Sequence, residues 1–420
     1  MLLLISLACI ESEKNDDASY NGPYNIDAPE VEWYVGQGTD VEEHVHEGMQ
    51  TSDGGYIGIG ETQESSNDDG MGDILIIKTD ASGNLEWQER FGTEGVRETG
   101  IAIVETEDGG FVAGLGLAVD GQMQPALMAL SPSGEMLWTH TYPDEGYGSV
   151  RGLQLLDSGE IVATGYRKAL DGGFQFVVDE GEGFIMKTDS EGDVIWDSTL
   201  DITQGTKLRL ADDGGFMVLS TGWIFEDDED RHAPILVKTT SEGQQEWKKS
   251  YASNGMSQAF DFDQTTDGGY VLAGHTTGYG SVNWDCLMIR TDAEGNLLWE
   301  QTFGNPRGYN PEFIHDECYG IRQTPDGGFV MAGGSGDEYD YSEDNHPAGS
   351  SDEWKAYVVK TDANGDLEWE AIYDDGPDNG NNAAEYIGLT DDGGYILFND
   401  SDSTGEMTPN NFGFMKLSPE

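Results

Sequence analysis

A tryptophan returns at near-regular intervals along this chain, at Trp33, Trp87, Trp138, Trp196, Trp247, Trp299 and Trp369. From the second copy on, it stands nine residues after a position held by Lys78, Ala129, Lys187, Lys238, Arg290 and Lys360. A second signature alternates with it. Asp-Gly-Gly-aromatic occurs at 53–56, 108–111, 213–216, 267–270, 326–329 and 392–395, with a degraded copy at Asp157-Ser158-Gly159. A unit of roughly 50–60 residues cannot bury an apolar face alone, so repeated copies stack on one another into an array.

One unit shows what is stacked. Segments 99–105, 111–115, 126–130 and 136–140 read as four short strands, A to D, divided by Gly-containing turns. No stretch carries a convincing helical period. The fold class is therefore all-β: a seven-bladed β-propeller of four-stranded antiparallel blades. The two ends of the chain are complementary. The last unit stops at Lys416-Leu417-Ser418-Pro419-Glu420, where a turn and a Trp strand should follow, and residues 30–35 hold the missing Trp33 strand. That N-terminal strand is expected to complete the C-terminal blade and so remove the free sheet edges.

Spacing assigns the faces of the disc. The C–D turns keep a constant length and the A–B turns nearly so, whereas the B–C loops and D–A crossings vary. In an up-and-down meander the variable connections all fall on one face, the usual place for binding on a rigid scaffold. The longest are 166–183, 223–234 and 334–354, with crossings at 303–315 and 373–382.

Asp-Gly-Gly-Tyr followed by Lys-Thr-Asp-x-x-Gly-x-x-x-Trp, best seen at 78–87, resembles the repeat of bacterial secreted and lipoprotein β-propellers, over residues 30–420. It is also distantly similar to the tryptophan-docking repeat of quinoprotein dehydrogenases, although one residue shorter. The resemblance implies a structural Trp that packs between neighbouring blades. It implies little about activity, because one fold hosts many functions.

Charge narrows the partners. With 81 acidic and 20 basic residues the formal net charge is −61, which opposes nucleic acid and anionic membrane surfaces and reads as a solvated, salt-tolerant surface. Residues 1–9, an apolar run ending in Ala8-Cys9, resemble a bacterial lipoprotein signal, with Cys9 the candidate lipidation site. Residues 10–29 read as a flexible polar tether and 30–420 as a single propeller domain. Cys286 falls on strand C of blade 5 and Cys318 on strand A of blade 6. These are not neighbours within a sheet, so the two are expected to stay unpaired.

The repeated Lys is expected to make a structural ion pair or hydrogen bond near the constant-face turns. His44-x-His46 lies among glutamates without a defined third metal ligand. Asp362 to Asp366 reads as a hairpin turn. Acidic residues Asp337, Asp340, Asp344, Asp374, Asp375 and Asp378 gather hard oxygens of the kind Ca2+ takes, and are the candidate metal site. Strand A should line the channel, where Arg151, Lys207, Arg209 and Arg322 are candidates for an anionic ligand. No Gly-x-Ser-x-Gly elbow, Walker loop or Cys/His nucleophile pair occurs. The resulting expectation is a monomeric, lipid-anchored, non-enzymatic scaffold on the cell envelope or outer membrane, binding a protein or glycan on the variable face. The alternative is an envelope enzyme (hydrolase, lyase or quinoprotein-like) with its site at the channel mouth.

Overall fold

The computed structural model describes residues 28–38, 41–63, 72–93, 96–170, 177–226, 229–251, 254–337, 354–373, 382–401 and 411–420. They form seven separate four-stranded antiparallel sheets arranged as blades. Blades 1 to 6 run in chain order from Glu43 to Tyr373. Blade 7 takes strands A to C from the C-terminal segment and strand D (Val31–Gln37) from the N-terminal one. Strand D pairs antiparallel with Asn411–Leu417, from Val31 opposite Leu417 to Gln37 opposite Phe412. The ring is closed by both termini, as the complementary ends require.

The core lies between the blades. Seven buried clusters each draw on two consecutive blades, including blades 7 and 1 across the closure. This explains why strands B and C of blade 1, Tyr56–Gln63 and Gly72–Thr79, are buried on almost every residue, whereas strand D, Leu85–Phe91, is mostly exposed. Inner strands meet a neighbour on both faces, and the outermost strand meets solvent.

The repeat signatures act as fasteners within that plan. The tryptophan of one blade reaches the aromatic of the next blade's Asp-Gly-Gly turn, with ring centroids 5.5 Å apart for Trp33 and Tyr56, 6.0 Å for Trp87 and Phe111, and 5.9 Å for Trp299 and Phe329. Its ring also covers the glycine of the next C–D turn. Gly243 has φ of +72°, and a Cβ there would stand 2.4 Å from the Trp196 ring. The repeat therefore needs glycine at this position for conformation and for space.

The repeated cation is buried under the A–B turn. Lys360, with no exposed side-chain surface, donates to Asp326 Oδ2 at 2.9 Å, Glu368 Oε2 at 2.6 Å and Thr361 O at 3.2 Å. Three donors meet three acceptors, so the ammonium is buried without an unmade bond. Lys78, Lys238, Arg290 and Lys416 pair likewise with Asp53, Asp213, Asp267 and Asp392. Blade 3 substitutes Glu160, which takes Lys187 at 3.1 Å. The counterpart of the Asp-Gly-Gly turn there is Ser158-Gly159-Glu160, one residue later than the sequence alignment placed it, because Gly159 carries the positive φ that Gly54 carries in blade 1.

Two expectations are corrected. Residues 223–234 are not a loop. Phe216–Glu226 and Glu229–Thr239 pair along their whole length as a protruding hairpin. Trp223 and His232 face each other across it, ring centroids 4.2 Å apart, and both bond Asp179 of blade 3, at 2.7 and 2.9 Å. Cys286 and Cys318 are joined in a disulfide, with Cα atoms 5.1 Å apart. Their strands share no sheet, but blades pack face to face, so side chains leaving one sheet meet those of the next.

Candidate functional site

Strand A lines the central channel, and a β-bulge decides which side chains reach it. In six blades the A–B pairing skips a residue at one shared position: His46, Ile101, Arg151, Phe260, Tyr319 and Glu385. Each stands at the same offset before its turn residue (Asp53, Asp108, Ser158, Asp267, Asp326 or Asp392), and Thr206 keeps that offset before Asp213 in blade 4. A bulge re-aims its own residue and breaks the alternation of faces, so the following residue can point the same way. These seven residues, with Lys207 and Tyr386, line a cavity of about 70 Å³ to which every blade contributes.

The cations singled out from sequence all stand along this wall, already engaged. Arg151 donates to Gln204 Oε1 at 2.7 Å and lies over the Tyr166 ring. Lys207 pairs with Glu47 and lies 5.0 Å from the centre of the Tyr386 ring. Arg209, at 2.9 Å, and Arg322 share the wholly buried Asp261. Burial alone would raise the Asp261 pKa, but Arg322, Arg209 and Lys207 outweigh it and hold the carboxyl below its ordinary value. One carboxylate thus ties blades 4, 5 and 6 together.

Histidines and carboxylates gather where strand A enters from the variable face. His44 Nδ1 contacts Asp400 Oδ2, and the His46 ring stands 4.5 Å from that of His44. His46 reaches Glu61 at 3.3 Å, which also takes Arg97 at 2.8 Å. On the blade 6 side, Glu317 accepts from Tyr319 at 2.6 Å and meets His315 at 3.3 Å. Burial pulls the His44 pKa down, but the Asp400 charge and hydrogen bond overcome this and raise it to about 10. Burial, then the His44 charge, lowers His46 to about 4. Burial raises Glu385 to about 8, with His44 opposing and Asp400 and Glu317 adding to the rise.

The sequence pointed to His44 and His46 and did not set Glu385, Asp400, Glu61 or Glu317 beside them. No single-residue signal marks this ring, since the bulge offset holds a different residue type in every blade. Of the candidate calcium ligands, Asp337 is buried just after strand B of blade 6. Asp340, Asp344, Asp374, Asp375 and Asp378 lie outside the described residues, as does Cys9. A larger hollow of about 500 Å³ lies between blades 2 and 3, lined by Tyr142, Pro143, Arg167, Phe184, Met186 and Asp197 among others.

No protein-family model and no curated protein matches the sequence. Solved structures do resemble the fold. The WD40 domain of Neurospora crassa Pan2 is similar with a TM-score of 0.58 and 10% identity, over 95% of this chain and 98% of that one. The WD40 β-propeller domain of Doa1 is similar with a TM-score of 0.54 and 12% identity, over 93% and 97%. A protein of unknown function from Dyadobacter fermentans gives 0.49 and 12%, over 94% and 100%. At these identities the likeness concerns the fold. The chain is a seven-bladed β-propeller.

Proposed function

We propose that this chain is a non-enzymatic binding scaffold of the bacterial cell envelope, lipid-anchored at Cys9, which takes a protein or a glycan on its variable face. One observation carries the reading: the connections that differ in length from blade to blade are the B–C loops and D–A crossings, which share one face of the disc. The hairpin of blade 4 projects from that face with Trp223 exposed. The channel supports a structural rather than catalytic use of its strand A charges, since Asp261 and Glu47 are neutralised by Arg209, Arg322 and Lys207. The disulfide Cys286–Cys318 supports an oxidising compartment. The second reading, an envelope enzyme working at the channel mouth, draws on the histidine and carboxylate arc there.

A binding screen of the fragment 26–420 against envelope glycans and proteins tests the scaffold. A ligand whose binding falls on Trp223→Ala or on deletion of residues 338–353 places it on the variable face. A ligand indifferent to both, yet lost on substitution of the constant-face turns, refutes the assignment. For the anchor, a fatty-acid probe in a bacterial host should label the parent and leave Cys9→Ser unlabelled. Equal labelling of the two removes it.

A further inference from the structure

We propose that His44, Glu385 and Asp400 form a site for a divalent transition-metal ion of the zinc class, joining blades 7 and 1 across the closure of the ring. Their ligand atoms, one imidazole nitrogen and two carboxylate oxygens, all lie within 4.8 Å of one another. Three protein ligands of mixed nitrogen and oxygen type, with a further position open, suit zinc, whereas calcium takes six to eight oxygens. The three side chains come from three strands: His44 from strand A of blade 1, and Glu385 and Asp400 from strands A and B of blade 7.

The surroundings hold these ligands in place. Asp400 Oδ1 accepts from the Val45 amide at 2.8 Å, leaving Oδ2 turned to His44. His46 stands nearly perpendicular against His44, at 80°, and is itself held by Glu61, which Arg97 pairs. Glu385 is the bulged residue of its strand, aimed into the channel. Among the described residues its carboxylate makes no hydrogen bond or ion pair, so no other structural duty there accounts for it. The sequence suggested His44 with His46. The structure instead pairs His44 with two carboxylates more than 300 positions away.

The test uses the protein stripped with EDTA and then titrated with Zn2+ or Co2+. One equivalent should bind, the melting temperature should rise, and the cobalt form should show visible d–d absorption. Glu385→Gln should weaken binding by about tenfold or more, by analogy with the loss seen when a site's supporting ligands are removed. His44→Ala should abolish the cobalt spectrum. Because His44 also holds the seam, Glu385→Gln is the deciding variant, and Asp400→Asn, which keeps an acceptor for the Val45 amide, supplements it. The proposal is overturned by absence of stoichiometric binding, by equal affinity in parent and Glu385→Gln, or by calcium at matched ionic strength giving the same stabilisation.

Discussion

At the scale of single residues, the two signatures do different work. The tryptophan is a wedge between blades, and its worth follows its burial. Trp369 is buried, meets Tyr395 edge-on and donates to Glu420 at 3.2 Å, whereas Trp247 is half-buried. Trp369→Ala should cost about 3–5 kcal/mol and Trp247→Ala clearly less, read from denaturant midpoints. Equal midpoints for parent and Trp369→Ala would contradict the packing. The aspartate of the turn is an acid sensor. Burial would raise Asp326, but hydrogen bonds from Thr324, Lys360 and the Gly328 amide hold it at about 2, below its ordinary 3.8. Asp53 and Asp392 behave alike. A depressed carboxyl gives stability that is fully present above the unfolded value. That stability is lost as pH falls through the folded one. The melting temperature should therefore drop between about pH 4 and pH 2. Asp326→Asn should lower stability at neutral pH and flatten that acid limb, as a pH series of thermal melts would show.

At the scale of elements, the seam and the disulfide tie distant strands. Strand D of blade 7 covers an edge that would otherwise present unpaired amides and carbonyls. Deleting residues 1–37 should lower the melting temperature and produce aggregates on size-exclusion chromatography. A monodisperse product with unchanged melting would argue against closure through Val31–Gln37. The disulfide closes a separation of 32 residues between blades 5 and 6. Loop-closure entropy puts its contribution at about 3–4 kcal/mol. Cys286→Ser with Cys318→Ser should lower the urea midpoint accordingly, and thiol-reactive labelling of the unfolded, unreduced parent should fail at both positions. Asp261 joins Arg209 of blade 4 and Arg322 of blade 6, so its removal would leave two half-buried guanidinium groups without their shared carboxylate.

At the scale of the whole molecule, a closed ring of small interlocking cores carries a formal charge of −61. Its buried ion pairs consume much of the small cation supply: Lys78, Lys207, Lys238, Arg290, Lys360 and Lys416 are all buried. The outer surface is left strongly anionic and self-repelling. Raising NaCl from about 10 mM to 500 mM shortens the Debye length from about 30 Å to under 10 Å. The melting temperature should rise over that range, because screened repulsion outweighs the loss at buried pairs, which salt reaches poorly. A fall across the same range would show that exposed pairs dominate.

What the sequence determined by itself was local and repeated. Strand, turn and tryptophan recur within each unit, so blade count, four-stranded meander, constant face and terminal closure could be read from spacing. Gly54 announces its role because six more units ask for the same turn, and Lys78 because five of them keep a cation at its position. What only the tertiary structure decided depends on contacts between units. Cys286 meets Cys318 because blades pack face to face, a relation that in-sheet neighbour counting does not contain. The hairpin of Phe216–Glu226 and Glu229–Thr239 read as a loop because its residues are charged, whereas strand pairing is a property of the backbone. The channel ring has no one-residue signature, since a bulge is a mismatch between two strands and its products converge only once seven of them close. His44 and Asp400 are 356 positions apart, and no local pattern links them. They meet because the first blade must complete a circle that the last one opens.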